Sequence, residues 1–401
     1  MNENNIFCPS CKSKEIIKTG KRANKYQKVQ RYRCKDCKEN FITKKIIKKT
    51  YPARIILNSI SYYNLGYSQQ QTSKLISKKH KIKVPQKTLS NWINEYKPIT
   101  TFHKLRTKAT KLYNPIEIIF EQPLQHKQIY IFKYHKAKLE LLFKDIKYNN
   151  QFTNLSKFYQ PIKSYLEKIP SSKFPHHIFK EKTSGSDAEI AKLKNIKSKK
   201  IIEQRASQLK FPHLKITHLS KNNLANKLAK LAINLAKSNK DRYNAIQNFM
   251  LINDSTTIAT EIPVYLTNAD IKYFLKKGFT LDFNQNKNSI KNNAITALEQ
   301  RKSAKTLGAN AEVARNNLVK NYKTPITGHI DILQVRNGLI HILDYKPEAS
   351  KTNPIEQLTI YALALASRTK LDLHSFKCAW FDEDNYYEFF PLHAVYEKRK
   401  I

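Results

Sequence analysis

Two groups of residues in this chain have the types and the spacing to do chemistry. The first lies toward the C-terminus, in ITGHIDILQV (326–335) and LIHILDYKP (339–347), both strand-like, with Asn337-Gly338 between them as the dipeptide a tight hairpin needs. The hairpin sets Asp331 and Asp344 on paired neighbours, and Lys346, two residues beyond Asp344, falls on the same face of its strand. Two facing carboxylates repel, and one takes up a proton unless a divalent cation neutralises the pair. Oxygen donors with room for water suit Mg²⁺ or Mn²⁺. Such an ion lowers the pKa of a bound water and offsets charge on a phosphate, while the adjacent lysine orients the nucleophile or stabilises the transition state. The competing reading is a surface hairpin whose ion pairs are worth about 0–1 kcal/mol. Against it, each Asp stands in an otherwise apolar strand, where a charge without a partner is costly.

The second group is at the N-terminus. Of five cysteines, at 8, 11, 34, 37 and 378, four form Cys8-Pro-Ser-Cys11 and Cys34-Lys-Asp-Cys37, with 22 residues between the pairs. Each turn aims two thiolates at one ion, and soft sulfur suits Zn²⁺ in a four-ligand, structural site with no open position. So short a segment cannot bury a core, so the metal must supply folding energy. Two disulfides or a thioredoxin-like redox pair are the alternatives. MNENNIFCPS lacks a secretory pattern, and no βαβ pattern surrounds the motif.

The elements that must position these groups follow from periodicity. Residues 52–96 read as helices broken at Gly66: Ala53, Ile56, Leu57, Ile60, Tyr63 and Asn64 form one stripe, and Ser68 caps a second helix holding Thr72, Leu75 and Ile76 inward. Pro85 opens a third helix with Leu89, Trp92, Ile93 and Tyr96. This is the pattern of a helix-turn-helix whose last helix turns Gln86, Lys87, Ser90, Asn91 and Asn94 toward base edges; a plain three-helix packing unit is the alternative. Further on, 129–135 alternates like a strand and runs into a helix, the Lys-rich 191–210 reads as a solvated helix, and SerGlySer at 184–186 reads as a join. His176-His177, after a proline, reads as plain surface. Residues 222–251 predict one amphipathic helix with Leu224, Leu228, Leu231, Ile233 and Leu235 inward. Strands follow at 256–266, carrying Glu261, and at 375–381 and 386–390, and the helix from Pro354 projects Gln357 and Tyr361 from one face.

Charge narrows the partner. The 401 residues hold 73 Lys and Arg against 31 Asp and Glu, a net of +42. Residues 1–252 carry 53 basic and 15 acidic side chains and residues 253–401 carry 20 and 16, so the surplus is in the first part. An AT-rich genome accounts for some of the lysine but not for the gathering of acids near the C-terminus. A surplus of this size points to a polyanion. The seven glycines are too scattered for a dinucleotide fingerprint or a phosphate-binding loop. No apolar run approaches the ~18 residues of a membrane span, so the expectation is a soluble protein, cytoplasmic or nucleoid-associated.

Two resemblances sharpen this. FCPSC, YRCKDC followed by Phe41, and GYSQQQTSKLI with TLSNWINEY resemble the zinc ribbon and helix-turn-helix at the front of many insertion-sequence transposases, over about the first hundred residues. That implies recognition of a DNA sequence such as an element end; it does not imply transposase chemistry, because such front ends are shared among different catalytic domains. GHID, ILDYKP and QLTIY, in that order, resemble the nuclease domain of the PD-(D/E)XK superfamily, in the RecB-like group that includes the CRISPR-associated adaptation nucleases. This second resemblance implies that Asp331 and Asp344 bind the metal with the backbone carbonyl of Tyr345, and that Lys346 is the catalytic lysine. It further implies that Gln357 and Tyr361 hold the active site or the DNA, and that Glu261 is the acidic residue ahead of the Asp motif. RecB-like nucleases usually place a His ligand on the helix before the first strand, where 222–251 has none; Asn226 or His218 is the candidate substitute. Cys378, alone in its strand, is a core residue and no iron–sulfur cluster is expected.

The expectation is therefore a multidomain α+β chain: a zinc ribbon at 1–45, a helix-turn-helix domain at 50–100, a basic α/β region of unassigned fold at 101–215, and an α/β/α restriction-endonuclease-like domain with a mixed central sheet at 216–395. Its expected function is metal-dependent hydrolysis of DNA targeted by the front end. A non-catalytic DNA-binding regulator and a transposase-type strand-transfer enzyme are the alternatives. If ~6–10 of the basic groups sit on phosphates, log K for duplex DNA falls against log[salt] with a slope of about −5 to −9. Binding isotherms of the full chain between 50 and 300 mM salt measure it, and a slope near −1 would reduce the surplus lysine to codon usage.

Overall fold

The computed structural model describes residues 6–24, 26–42, 50–125, 129–144, 153–169, 206, 223–279, 281 and 325–395. They divide into two units, each built from two separate stretches of chain: 1–118 with 222–255, and 119–221 with 256–401. His176-His177, the 184–186 join, His218 and the 191–210 helix, Ala206 apart, lie outside the described residues.

In the first unit the cysteine turns bracket a small antiparallel sheet of β1 (Ile16–Asn24), β2 (Gln27–Cys34) and β3 (Asn40–Ile42), with β2 in the middle. Tyr32 stacks on Phe41 across β2 and β3, and Tyr26 stacks on Tyr51, which meets the Trp92 ring edge-on at 5.0 Å. Three helices follow: α1 (Ala53–Leu65), α2 (Gln69–His80) and α3 (Gln86–Tyr96). Gly66 ends α1 at φ 118°, a left-handed conformation that a side chain would resist. Ser68 and Gln71 cap α2 reciprocally: the Ser68 hydroxyl accepts from the Gln71 N–H, and the Gln71 side chain accepts from the Ser68 N–H. Thr72 and Ile76 are buried and Leu75 is half-buried.

After α4 (His103–Leu112), whose Arg106 donates to the carbonyls of Tyr63, Gly66 and Tyr67, the helical unit is completed by residues far along the chain. The single helix predicted over 222–251 is two, α7 (Leu224–Ala232) and α8 (Arg242–Asn253), separated by a short 3₁₀ turn and a cap in which Asp241 accepts from the Ser238 N–H and hydroxyl. Ser238-Asn239-Lys240-Asp241 favours turns over helix, and the apolar stripe alone did not register it. The Asn253 side chain accepts from Asn64 at 2.8 Å and donates to the Ser61 hydroxyl at 2.9 Å, so α8 packs on α1. These helices belong to the first unit, whereas the boundary at 216 assigned them to the C-terminal domain.

The second unit is a seven-stranded sheet. Before it in sequence come β4 (Ile119–Gln125), β5 (Ile129–His135), α5 (Lys136–Lys144) and α6 (Thr153–Lys168); after the helices of the first unit come β6 (Thr257–Leu266), α9 (Asn268–Lys276), β7 (Ile326–Arg336), β8 (Leu339–Tyr345), α10 (Ile355–Thr369), β9 (Phe376–Phe381), β10 (Tyr386–Phe389) and α11 (Pro391–Val395). The strand order is β10-β9-β8-β7-β6-β5-β4, antiparallel throughout except for the β8–β9 pair. A parallel pair needs a crossover, which α10 supplies; it is buried along nearly its whole length, and its Leu358, Leu363 and Leu365 share one core with Ile262, Ile330, Ile342 and with Leu139, Ile162 and Leu166 of α5 and α6. Asn337 and Gly338 take φ 52° and 72° in the β7–β8 turn, as a tight hairpin requires. β4 and β5, placed in the unassigned 101–215 region, belong to this sheet, β4 as its edge strand and β5 between β4 and β6. A cut between 252 and 253 therefore severs both units. Among the described residues no helix is long and apolar enough to cross a membrane.

Two buried histidines bear on stability. His341 on β8 is held neutral, its pKa lowered to about 3 by burial and then by the Arg336 and Lys377 cations, and Arg336 Nε donates to its Nδ1 at 3.3 Å. His135 is likewise pushed well down by burial and by Lys138. The unfolded chain protonates near pH 6.5 and the folded one does not, so stability is full above about pH 6.5 and falls as pH drops toward 3, by about 2 kcal/mol between pH 7 and pH 5 for His341 alone. Denaturant melts at the two pH values should show the loss, and His341→Gln should shrink it.

Candidate functional site

Each CxxC in the first unit is a tight turn closed by the residue that follows it. Lys12 and Lys38, directly after Cys11 and Cys37, both take φ 63°, and the Lys12 N–H returns to the Cys8 carbonyl at 3.0 Å. The Cys8 N–H donates to the Ser13 carbonyl and the Cys34 N–H to the Glu39 carbonyl, each at 2.9 Å. The result sets Cys8 Sγ 3.4 Å from Cys37 Sγ and Cys11 Sγ 3.5 Å from Cys34 Sγ, with all four sulfurs within 4.8 Å of one another. A tetrahedron with 2.3 Å arms has edges of about 3.8 Å, so the four fit one Zn²⁺. All are free thiols, which removes the disulfide alternative. Backbone donors, the Cys37 N–H first, lower Cys34 to about 7. At Cys37 the Glu39 N–H pulls the same way but is outweighed by the Cys8 thiol and burial, which push it up to about 12. Four sulfurs so close resist ionising together, and a dication bound by all four removes the conflict.

In the second unit the register brings three carboxylates into one row. Thr260 faces Ile332 and Ile262 faces Ile330, so Glu261 on β6 stands opposite Asp331 on β7. The β7–β8 ladder ends at Ile332 and Leu343, and one step beyond it stand Asp331 and Asp344. Lys346 Nζ is 2.8 Å from Asp344 Oδ2, and its backbone N–H is fixed to the Phe381 carbonyl of β9 at 2.9 Å. Burial, then Asp344 and Glu261, push the Asp331 carboxyl well above the usual range, with Lys346 pulling it back.

The backbone is bent to make the row. Glu261 has φ 53°, a left-handed conformation costing of order 1–3 kcal/mol for a residue with a side chain. On β7 the residues contributed to the core change parity across Asp331, from Ile330 to Leu333, and on β6 the register shifts just before the row, between Thr257 and Ala259.

Gln357 and Tyr361 come from α10. Gln357 Nε2 donates to Tyr361 Oη at 2.8 Å, and the Tyr361 ring lies so close over Gly328 that a Cβ there would fall 2.2 Å from the ring. Burial keeps Tyr361 a neutral phenol; Gln357 opposes that shift, and Asp344 and Asp331 add to it. Two residues that sequence reasoning missed fix the loop after Lys346: Asp382 accepts from the Ala349 N–H at 2.8 Å, and Trp380 Nε1 donates to the Ala349 carbonyl at 3.0 Å. The only signal was the turn-forming run Asp382-Glu-Asp-Asn385, whose Asp384 and Asn385 N–H groups also bind Asp382.

Other predicted site residues are placed as follows. On α3, Gln86, Lys87, Asn91 and Asn94 are exposed and Ser90 is half-buried, opposite the buried Leu89, Trp92, Ile93 and Tyr96. Asn226 belongs to the first unit, where it is buried in the α7 cap and accepts from the Asn223 N–H at 2.9 Å, so its side chain already has that role. The Tyr345 hydroxyl donates to Glu383 at 3.2 Å. Among the described residues the four thiols alone bring three or more donors within 4.8 Å of one another, and the carboxylates are a looser set.

Residues 1–38 match the family model described as the InsA N-terminal domain, a zinc ribbon. No curated protein and no solved structure matches the chain. The N-terminal segment is thus an InsA-like zinc ribbon in both motif and geometry. Elemental analysis should find about one zinc per chain. Cys34→Ser should lose it and unfold the ribbon, seen as loss of the Tyr26–Tyr51 stacking in near-ultraviolet dichroism, with the second unit still folded.

Proposed function

We propose that the chain is a DNA-targeted, divalent-metal-dependent nuclease of the PD-(D/E)XK kind, in which the first unit selects the site and the second hydrolyses the phosphodiester. The observation that carries this reading is the row of Glu261, Asp331 and Asp344 on three adjacent strands with Lys346 against Asp344. Three carboxylates brought together, one buried and two half-buried, resist ionising together, and a divalent cation is the simplest thing that makes the row useful.

In this reading Asp331 and Asp344, with the Tyr345 carbonyl, hold Mg²⁺ or Mn²⁺, and Glu261 completes the anionic side. When bound, the ion supplies positive charge to the phosphate and acidifies a water. Lys346, fixed by β9 and paired with Asp344, holds the attacking water and meets the charge that develops on the non-bridging oxygens. Water oxygen bonds to phosphorus, one P–O ester bond breaks, and the departing alkoxide takes a proton. Gln357 and Tyr361 hold α10 against Gly328 and offer neutral donors to the DNA.

Targeting rests on the first unit. A zinc ribbon of the InsA type supports DNA binding in a mobile-element context, and a nucleoid location goes with it. The exposed polar face of α3 suits base edges in a major groove. One observation favours a second reading, a DNA-binding regulator with a nuclease-like fold that does not cut: Asn226, a candidate for the missing His ligand, is engaged in a helix cap of the other unit.

Incubating linear and supercoiled DNA with the full chain and Mg²⁺ separates the readings. Cleavage products are expected, with Lys346→Ala and Asp344→Asn each abolishing them while DNA affinity stays within about threefold, since these groups act in the chemical step. Binding without cleavage by the wild type would establish the regulator, joined ends would indicate strand transfer, and equal nicking by wild type and both variants would refute the site.

A further inference from the structure

The second unit has another concavity, unused by the reaction above. Residues of α6, β6 and the C-terminal end of α10 enclose about 590 Å³, with Ser164, Tyr165, Lys168, Tyr265, Arg368 and Lys370 on its walls. This volume is that of a ligand site rather than a packing defect. Arg368 is held rigidly: its guanidinium lies 4.4 Å from the Tyr265 ring centroid, Nη1 donates to the Tyr265 hydroxyl at 2.9 Å, and Nη2 donates to the Asp270 carboxylate. Asp270 is itself fixed by Thr267 and Ser367, so one acid balances one base. Lys168 and Lys370 are exposed at the rim, and among the described residues neither pairs with a carboxylate. The cavity therefore offers the positive charge of Arg368, Lys168 and Lys370 and the hydroxyl of Ser164, that of Ser367 being committed to Asp270. That combination suits a phosphate oxygen and repels a cation.

Its place relative to the carboxylate row is set by two shared elements. Tyr265 is four residues from Glu261 on β6, about 13 Å at the strand rise. Arg368 is seven residues from Tyr361 on α10, two turns or about 10 Å. Successive phosphates of a duplex strand, which rise ~3.4 Å along the axis as they wind round it, lie ~7 Å apart, so that is about two nucleotides.

We propose that this cavity is a phosphate subsite that holds a backbone phosphodiester of the bound nucleic acid about two nucleotides from the position Lys346 faces. It rests on the nuclease reading for that register, but not for the binding itself. Two bases meeting one phosphate fix the strand's register where base contacts do not reach.

The test uses the full chain in EDTA, so that no cleavage occurs, with a fluorescent duplex oligonucleotide titrated at several salt concentrations. Lys168→Gln/Lys370→Gln is expected to weaken binding about three- to tenfold and to make the log K against log[salt] slope shallower by about one to two. Lys272→Gln/Lys276→Gln, an equal charge change on the exposed side of α9, should leave the slope nearly unchanged. Equal losses in the two double variants, or no loss in the first, overturn the proposal. A second arm titrates a 5′-mononucleotide: saturable binding that the Lys168→Gln/Lys370→Gln variant loses while DNA affinity stays intact would assign the cavity to a free phosphate monoester and overturn the backbone assignment. Where the wild type cuts, a single neutral methylphosphonate about two nucleotides from the cut should weaken wild-type binding and not the variant's. Failure to cut in Mg²⁺ with the slope change present would refute the nuclease reading and leave the subsite standing.

Discussion

The repulsion among Glu261, Asp331 and Asp344 is the constraint around which the second unit is arranged. Carboxylates do not gather in an apolar sheet unless the backbone leaves them no alternative. Here Glu261 takes a left-handed conformation in the row, and the buried residues of β6 and β7 on either side hold it against relaxation. The crossover helix α10 closes the arrangement from one side, its Tyr361 ring occupying the space that any side chain at 328 would take. From the other side, Asp382 and Trp380 clamp the loop that begins at Lys346. Strain at the acids is therefore balanced by packing well away from them.

The first unit solves a different problem with a similar economy of means. Its ribbon has too few apolar side chains to fold unaided, and the sulfur cluster takes the part of a core. Beyond the cluster, the aromatic chain from Tyr26 through Tyr51 to Trp92 connects the sheet to the buried side of α3. The helix that presents polar groups outward is thereby seated by the same contacts that anchor the ribbon.

What could be read in the sequence was what depends on near neighbours. The CxxC turns, the Ser68 cap, the Gly66 stop, the Asn337-Gly338 hairpin and the two-residue step from Asp344 to Lys346 are local rules, and each has its counterpart in the structure. The legible site ended where distant pairing began. That β4 and β5 join the sheet of β6 and that α7 and α8 return to α1 are outcomes of packing between stretches more than a hundred residues apart, on which periodicity is silent. Asp382 was hidden for a different reason: an acid in a turn looks the same whether it caps its own turn or also reaches across to the loop after Lys346.

The lacing of the two units has a consequence for how such a chain is made and how it can change. The chain passes between them three times, at residues 118, 221 and 255. During synthesis the ribbon can close on its metal early, but α1 must wait for α8, and the sheet's edge strands must wait longer for β6. Neither unit can be completed while the ribosome has delivered only the first half, so the exposed apolar faces of both are held open together. The same lacing means that this front end, though of a type found joined to many catalytic domains, is no longer a detachable cassette. Exchanging it by recombination at one junction would strip the helical unit of two helices, so the front end and the seven-stranded sheet are bound to evolve as one piece.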